Sequence, residues 1–181
     1  VIAMPIHTKH MICSWEPTQM VHSNALCIIT TESDTYFALI QNTVHEIWAR
    51  AHGSTLETRM RYTSSDCFET FPFPPTTEDL GNIGERYYNH RQSIMLVRQE
   101  GLTKTYNRFH DPDEHASDIV TLRALHKEMD EAVAHAYGWD DLALEHGFHE
   151  TKQGIRYTIS EAARREVLDR LLLLNHQRHE E

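Results

Sequence analysis

"SDTYFALIQNTVHEIWARAHG", residues 33–53, is where the chain changes its period. Phe37, Ile40, Val44, Ile47 and Trp48 recur at steps of mostly three and four, the apolar stripe of an amphipathic helix. Ser33 or Asp34 can cap its start, and Gly53 can end it. Before it the pattern is that of strands. "ALCIITT", residues 25–31, is a β-branched run between "HSN" and "ESD", and "IAMPIHTKHMICSW", residues 2–15, is a weaker candidate interrupted by Pro5. After it, "LETRMRYT" alternates Leu56, Thr58, Met60 and Tyr62 with Glu57, Arg59 and Arg61, which predicts a half-buried strand with two arginines on its outer face. A helix set among short strands predicts an α+β fold, opening with a small mixed α/β module.

The next stretch, "RYTSSDCFETFPFPP", residues 61–75, closes that module. Pro72, Pro74 and Pro75 donate no backbone hydrogen bond, and each residue before a proline is pushed extended. Phe71 and Phe73 therefore hang from a stiff strap that can be pressed into a groove at little entropic cost. We place an α/β module at residues 1–70, a Phe/Pro-rich connector at 71–77 and a mainly helical module with a short β-hairpin at 78–181.

Within the helical module, "GERYYNHRQSIMLVRQEG" predicts a helix burying Tyr87, Ile94, Leu96 and Val97. "DIVTLRALHKEMDEAVAHAYG" predicts another, burying Ile119, Leu122, Leu125, Met129 and Val133 and ending at Gly138. "GFHETKQGIRYTIS" reads as a hairpin turning at Gln153-Gly154. Ser160 caps a closing helix with Val167, Leu168, Leu171, Leu172 and Leu174 inside.

The whole chain has 181 residues, enough for one domain or two small ones, and carries a net charge of −10. That charge argues against nonspecific attraction to polyanions. No apolar run is long enough to span a membrane, and no signal peptide opens the chain. Cys13, Cys27 and Cys67 are too few and too scattered for a disulfide framework and suit a cytoplasmic protein. The start at Val1 rather than Met reads as a piece of a longer protein.

Several patterns touch on chemistry. His7/His10, His146/His149 and His176/His179 share the spacing His-x-x-His, yet none has an obvious third ligand beyond Glu150 or Glu180, so no metal site is assigned. Pro112-Asp113 with Glu150 and Lys152 mimics a Mg²⁺-nuclease pattern, but a whole helix intervenes where neighbouring strands are needed. Cys67 beside Asp66 lacks a local histidine and reads as an inert thiol. No glycine-rich phosphate loop follows a strand. No catalytic residue is assigned.

What stands out is a basic island. Arg86, Arg91, Arg98, Lys104 and Arg108 face a single acid, Glu100, with Tyr106 and Phe109 interleaved. Spaced cations suit phosphates, and aromatic rings suit sugars or bases. Pairing of these cations with acids of the next helix, such as Glu128 and Asp130, is the competing reading. With the strand arginines, the candidate DNA-contacting set is Arg59, Arg61, Arg86, Arg91, Arg98, Lys104 and Arg108.

"RYTSSDCFETFPFP", "RQEGLTKTYNRFHDPDE" and "GFHETKQGIRYTISEAARREVLDRLLLLNH" resemble the C-terminal region of large bacterial restriction–modification enzymes, the type IIG-like adenine-N6 DNA methyltransferases. "FALIQNTVHEIWAR" is similar to the helix that precedes that block. The resemblance covers the chain from about Ala25 onward. It implies that the methyltransferase core, with its S-adenosylmethionine site, lies upstream and outside this chain. It implies a non-catalytic specificity fragment whose partners are double-stranded DNA and that core. A docking module without DNA contact is the alternative, and a Mg²⁺ nuclease built on Asp113, Glu150 and Lys152 is a remote one.

Overall fold

The structure, a computed structural model, describes residues 1–56, 59–75, 77 and 80–180. Glu57, Thr58 and Thr76, which the readings above include, lie outside the described residues.

The N-terminal stretch serves two sheets. β1 (Ile2–Pro5) pairs antiparallel with β3 (Ser14–Trp15) on one side and β4 (Leu26–Ile29) on the other. The chain then turns into β2 (His7–Thr8), which pairs with β6 (Arg59–Arg61), itself paired with β5 (Ser54–Leu56). Ile6 is the pivot: its N–H donates to the Ala25 carbonyl at 2.9 Å, and its carbonyl accepts from the Tyr62 N–H at 2.7 Å. Pro5 ends β1 at that switch, a place where a missing N–H is tolerated. The strand expected over residues 56–62 is thus two strands, β5 and β6. Met60 and Tyr62 are buried and Arg59 and Arg61 exposed, as the alternation predicts.

The helix predicted over residues 34–52 is two helices, α1 (Asp34–Gln41) and α2 (Thr43–His52). Asn42 between them is extended, at φ −77° and ψ 166°. Its amide nitrogen donates to the Ala38 and Leu39 carbonyls, closing α1, and its oxygen accepts from the His45 N–H, capping α2. One fully buried side chain therefore satisfies backbone groups at both ends of the break. Gly53 ends α2 as expected, for a reason of space. A Cβ there would stand 2.6 Å from the Ala49 carbonyl oxygen and 2.9 Å from that of Arg61.

The remaining elements are α3 (Leu80–Arg98), α4 (Leu102–Phe109), α5 (Ser117–Ala136), the hairpin β7 (Gly147–Thr151) and β8 (Gly154–Thr158), and α6 (Glu161–His179). The hairpin turns through Lys152 and Gln153, with Gly154 at φ +92° closing it. Gly138, at φ +75°, follows α5 and returns its N–H to the His135 carbonyl. Ser160 caps α6 by accepting from the Ala163 N–H.

α1 lies on α3, α3 on α5, and α2 on α6, so one hydrophobic core runs from Ile2 to Leu171. All five positions expected on α5 are buried. On α3 the expectation fails for Leu96 and Val97, which are 78% and 79% exposed. The helix buries Leu80, Ile83, Gly84, Tyr87, Arg91 and Ile94, and that stripe leaves 96 and 97 on the far side. On α6, Val167 and Leu171 are buried, whereas Leu172 is exposed. The strap is sewn down along its length. Phe71 is buried, edge-on to His45 and to Phe73. The carbonyls of Thr70, Pro72 and Phe73 accept from Asn175, Tyr137 and Arg178 respectively.

Candidate nucleic-acid interface

Arg91 and Arg98 stand seven residues apart on α3, and the structure turns only Arg91 inward. Arg91 is fully buried among rings. Its guanidinium donates to the Cys13 carbonyl at 2.7 Å, the Gln41 Oε1 at 3.1 Å and the Tyr106 hydroxyl at 3.2 Å. Phe37, Tyr88, Tyr87 and Tyr106 surround it at 5.4–6.0 Å, within cation–π range. Buried there, Arg91 has no route to an external phosphate. It is a strut between the N-terminal strands, α1, α3 and α4.

The other helical arginines are engaged at the surface. Arg98 forks onto Asp118 at 2.7 and 2.8 Å, Arg86 onto Glu128 at 2.5 and 3.0 Å, and Arg108 bridges Glu100 and Glu114. The Arg98 guanidinium holds the Asp118 carboxyl below the usual carboxylate range. Pairing with local acids therefore accounts for three of the five island cations, and burial for a fourth. Asp130, offered as a partner, instead lies at the centre of a buried polar cluster. It accepts from the Thr43 N–H at 2.8 Å and hydroxyl at 2.6 Å, and His146 Nε2 stands 2.9 Å away. Burial pushes its carboxyl up, but His126, His146 and Thr43 outweigh that and hold it below its ordinary value.

Of the expected cations, Arg59, Arg61 and Lys104 are left, and like the paired Arg86 they are exposed. None of these three has an ion pair among the described residues. Arg59 and Arg61 point the same way from β6, because strand side chains repeat every second residue. Arg61 lies opposite His7 of β2, also exposed. The buried Met60 between them fixes the face on which both arginines stand.

The other candidate chemistry does not assemble. Asp113 lies in the turn before α5, whereas Glu150 and Lys152 lie on the hairpin. Among the described residues no three His, Cys, Asp or Glu side chains group as a metal set. His10 is buried on Asn107, His146 is held by Asp130, and His149 bonds the Glu145 carbonyl. Burial pushes the Cys67 thiol up, away from the thiolate a nucleophile needs. Cations that the sequence reading passed over, Arg50, Arg156 and Arg164, line adjoining clefts between α2, the hairpin and α6, together with Lys152. The one signal for them was an arginine, Arg156, inside a strand run.

The small antiparallel sheet of β2, β6 and β5 thus presents two arginines to solvent. Residues 6–75 are similar to a target recognition domain. The matching family model, which spans less than half of the chain, is described as "MmeI, target recognition domain". In fold, the chain is similar to the type IIL restriction-modification enzyme MmeI, solved in complex with DNA. That likeness has a TM-score of 0.63 and 19% sequence identity, over 97% of this chain and 21% of the other. The chain thus spans about a fifth of the length of that protein. No curated protein matches it.

Proposed function

We propose that this chain is the DNA specificity module of a restriction–modification enzyme, reading sequence without itself carrying chemistry. The observation that carries this is the target recognition match over residues 6–75, which contains the exposed arginine pair of β6. Arg59 and Arg61 would hold backbone phosphates, and neighbouring side chains of the same module would meet base edges in the major groove. The strap at 71–77 would fasten that module to the helices of 78–181 as one unit. A methyltransferase core using S-adenosylmethionine would lie elsewhere in the parent protein and supply most of the positive field, since this chain carries −10.

Fluorescence anisotropy with a labelled duplex across a salt series tests the reading. The chain should bind weakly, and Arg59→Ala with Arg61→Ala should lower the salt slope by about 0.9 for every phosphate that is no longer neutralised. A double variant that binds as tightly as the parent chain, with an unchanged slope, would remove β6 from the interface. Docking onto the core is a second reading, favoured by the exposed Leu96 and Val97 at the end of α3. Among the described residues, no helix is long and apolar enough to cross a membrane.

A further inference from the structure

The hairpin inverts the usual order of apolar and charged side chains. On β8, Ile155 is 55% exposed while its neighbour Arg156 is 6% exposed. Strand side chains alternate, so a register shifted by one residue would bury the isoleucine and release the arginine. The fold keeps the costlier arrangement. Buried charges in proteins are ordinarily paired, because desolvation of a lone ion is severe. Yet among the described residues the Arg156 side chain has no hydrogen-bond or ion-pair partner.

Its surroundings explain what it lacks. Arg156 lines the inner end of a cleft between α2, the hairpin and the first turn of α6. Arg164, in that turn, is half-buried and its side chain is likewise unpartnered among the described residues. Arg50 stands on the α2 wall. Glu46 is the one carboxylate among the described residues lining this inner cleft, and Arg50 holds it at 2.7 Å. Desolvation and then the like charges of Arg50 and Arg164 weigh against the Arg156 cation, while the nearby Glu46 carboxylate draws it the other way. The imidazoles of His10 and His110 face the same space, and burial keeps them neutral, so they add nothing to the repulsion. Outward, past Lys152 and Arg165, the cleft widens to about 1450 Å³ of empty volume, open solvent included. The outer acids are Glu150 and Glu161, and Arg165 holds Glu161 at 3.0 Å.

We infer that this cleft is a phosphate site in which Arg156 and Arg164 grip one anionic phosphate group, with Arg50 reinforcing the field. Planar guanidinium donors match phosphate oxygens two at a time, and a buried arginine arrives already oriented. The choice of a duplex backbone as the source of that phosphate rests on the function proposed above; the site itself does not.

Two measurements on this chain separate the two. In the first, melting is followed in inorganic phosphate and in sodium chloride of equal ionic strength. Phosphate should raise the midpoint of the parent chain beyond chloride, and the extra rise should vanish in Arg156→Gln. Without phosphate, Arg156→Gln should melt no lower than the parent, because it removes an unpaired buried charge. Arg164→Gln, whose side chain is half-buried, should blunt the same rise without disturbing the fold. In the second, binding of a random-sequence duplex should weaken in Arg156→Gln, with a salt slope lower by about 0.9. A phosphate effect with no change in duplex binding supports the site and assigns it to free phosphate. A phosphate effect in a chain that binds no duplex supports the site and overturns the DNA reading. No phosphate-specific rise, together with equal duplex affinity in Arg156→Gln, overturns the site.

Discussion

Replacing Arg91 with alanine separates a strut from a DNA contact. The guanidinium makes three hydrogen bonds, to Cys13, Gln41 and Tyr106, and sits against four aromatic rings. A hydrogen bond to a charged group contributes about 1.5–3 kcal/mol, and a desolvated cation–π contact about 2 kcal/mol. Against these stands the relief of burying a cation with no carboxylate partner, several kcal/mol of opposite sign. The variant also leaves a void and strands the Cys13 carbonyl. We expect a net loss of about 3–5 kcal/mol, in the range seen when one member of a buried charged network is removed. At this chain length that corresponds to a melting drop on the order of 10 °C. The assay is urea unfolding followed by Trp fluorescence, with Arg98→Ala as control. The control should lose no more than about 1 kcal/mol, since its ion pair with Asp118 is part-exposed. If Arg91→Ala melts like the parent chain and instead flattens the salt dependence of duplex binding, the side chain reaches solvent and is no strut.

Two further outcomes are expected. Phe71→Ala should cost about 3–5 kcal/mol in denaturant unfolding, because Phe71 is 4% exposed and packs on His45, Trp48 and Phe73; a loss below about 1 kcal/mol would mean the strap is not part of the core. Stability should also fall as the solution is acidified. Burial holds His10 down to about 4 and His45 to about 3, against 6.5 for an unperturbed imidazole. Below about pH 6.5 the unfolded chain takes up protons that the folded chain refuses, so their contribution is complete above that pH and is lost as pH falls toward 4 and 3. The slope should approach about 1.4 kcal/mol per pH unit for each histidine, and a flat profile from pH 7 to 5 in urea titrations would contradict their burial.

Much of the secondary structure was legible because its causes are local. The stripe of α5, the Ser160 cap, the hairpin before α6 and the alternation of Met60 with Arg59 and Arg61 each follow from residues a few positions apart. The break at Asn42 was not legible, since the apolar stripe continues across it and only the buried amide decides the matter. For the candidate site, the strand arginines stand exposed as the alternation predicts, whereas Arg91 is buried and Arg86, Arg98 and Arg108 are paired with acids. Their closeness in sequence showed a basic island but not which side chains turn inward, and most of their acids sit on other elements.

From the residues alone, this chain was bound to be an α+β protein with a strand arginine pair and a Phe/Pro strap. Periodicity and proline chemistry act over a few residues and need no partner. Only the tertiary structure decided that Arg91 is interior, that Asp118, Glu128 and Glu114 neutralise the island, and that Arg156 faces a cleft while Ile155 faces water. Those outcomes depend on which surfaces meet across long sequence separations. There the electrostatic cost of burial is set by distant neighbours rather than by adjacent residues.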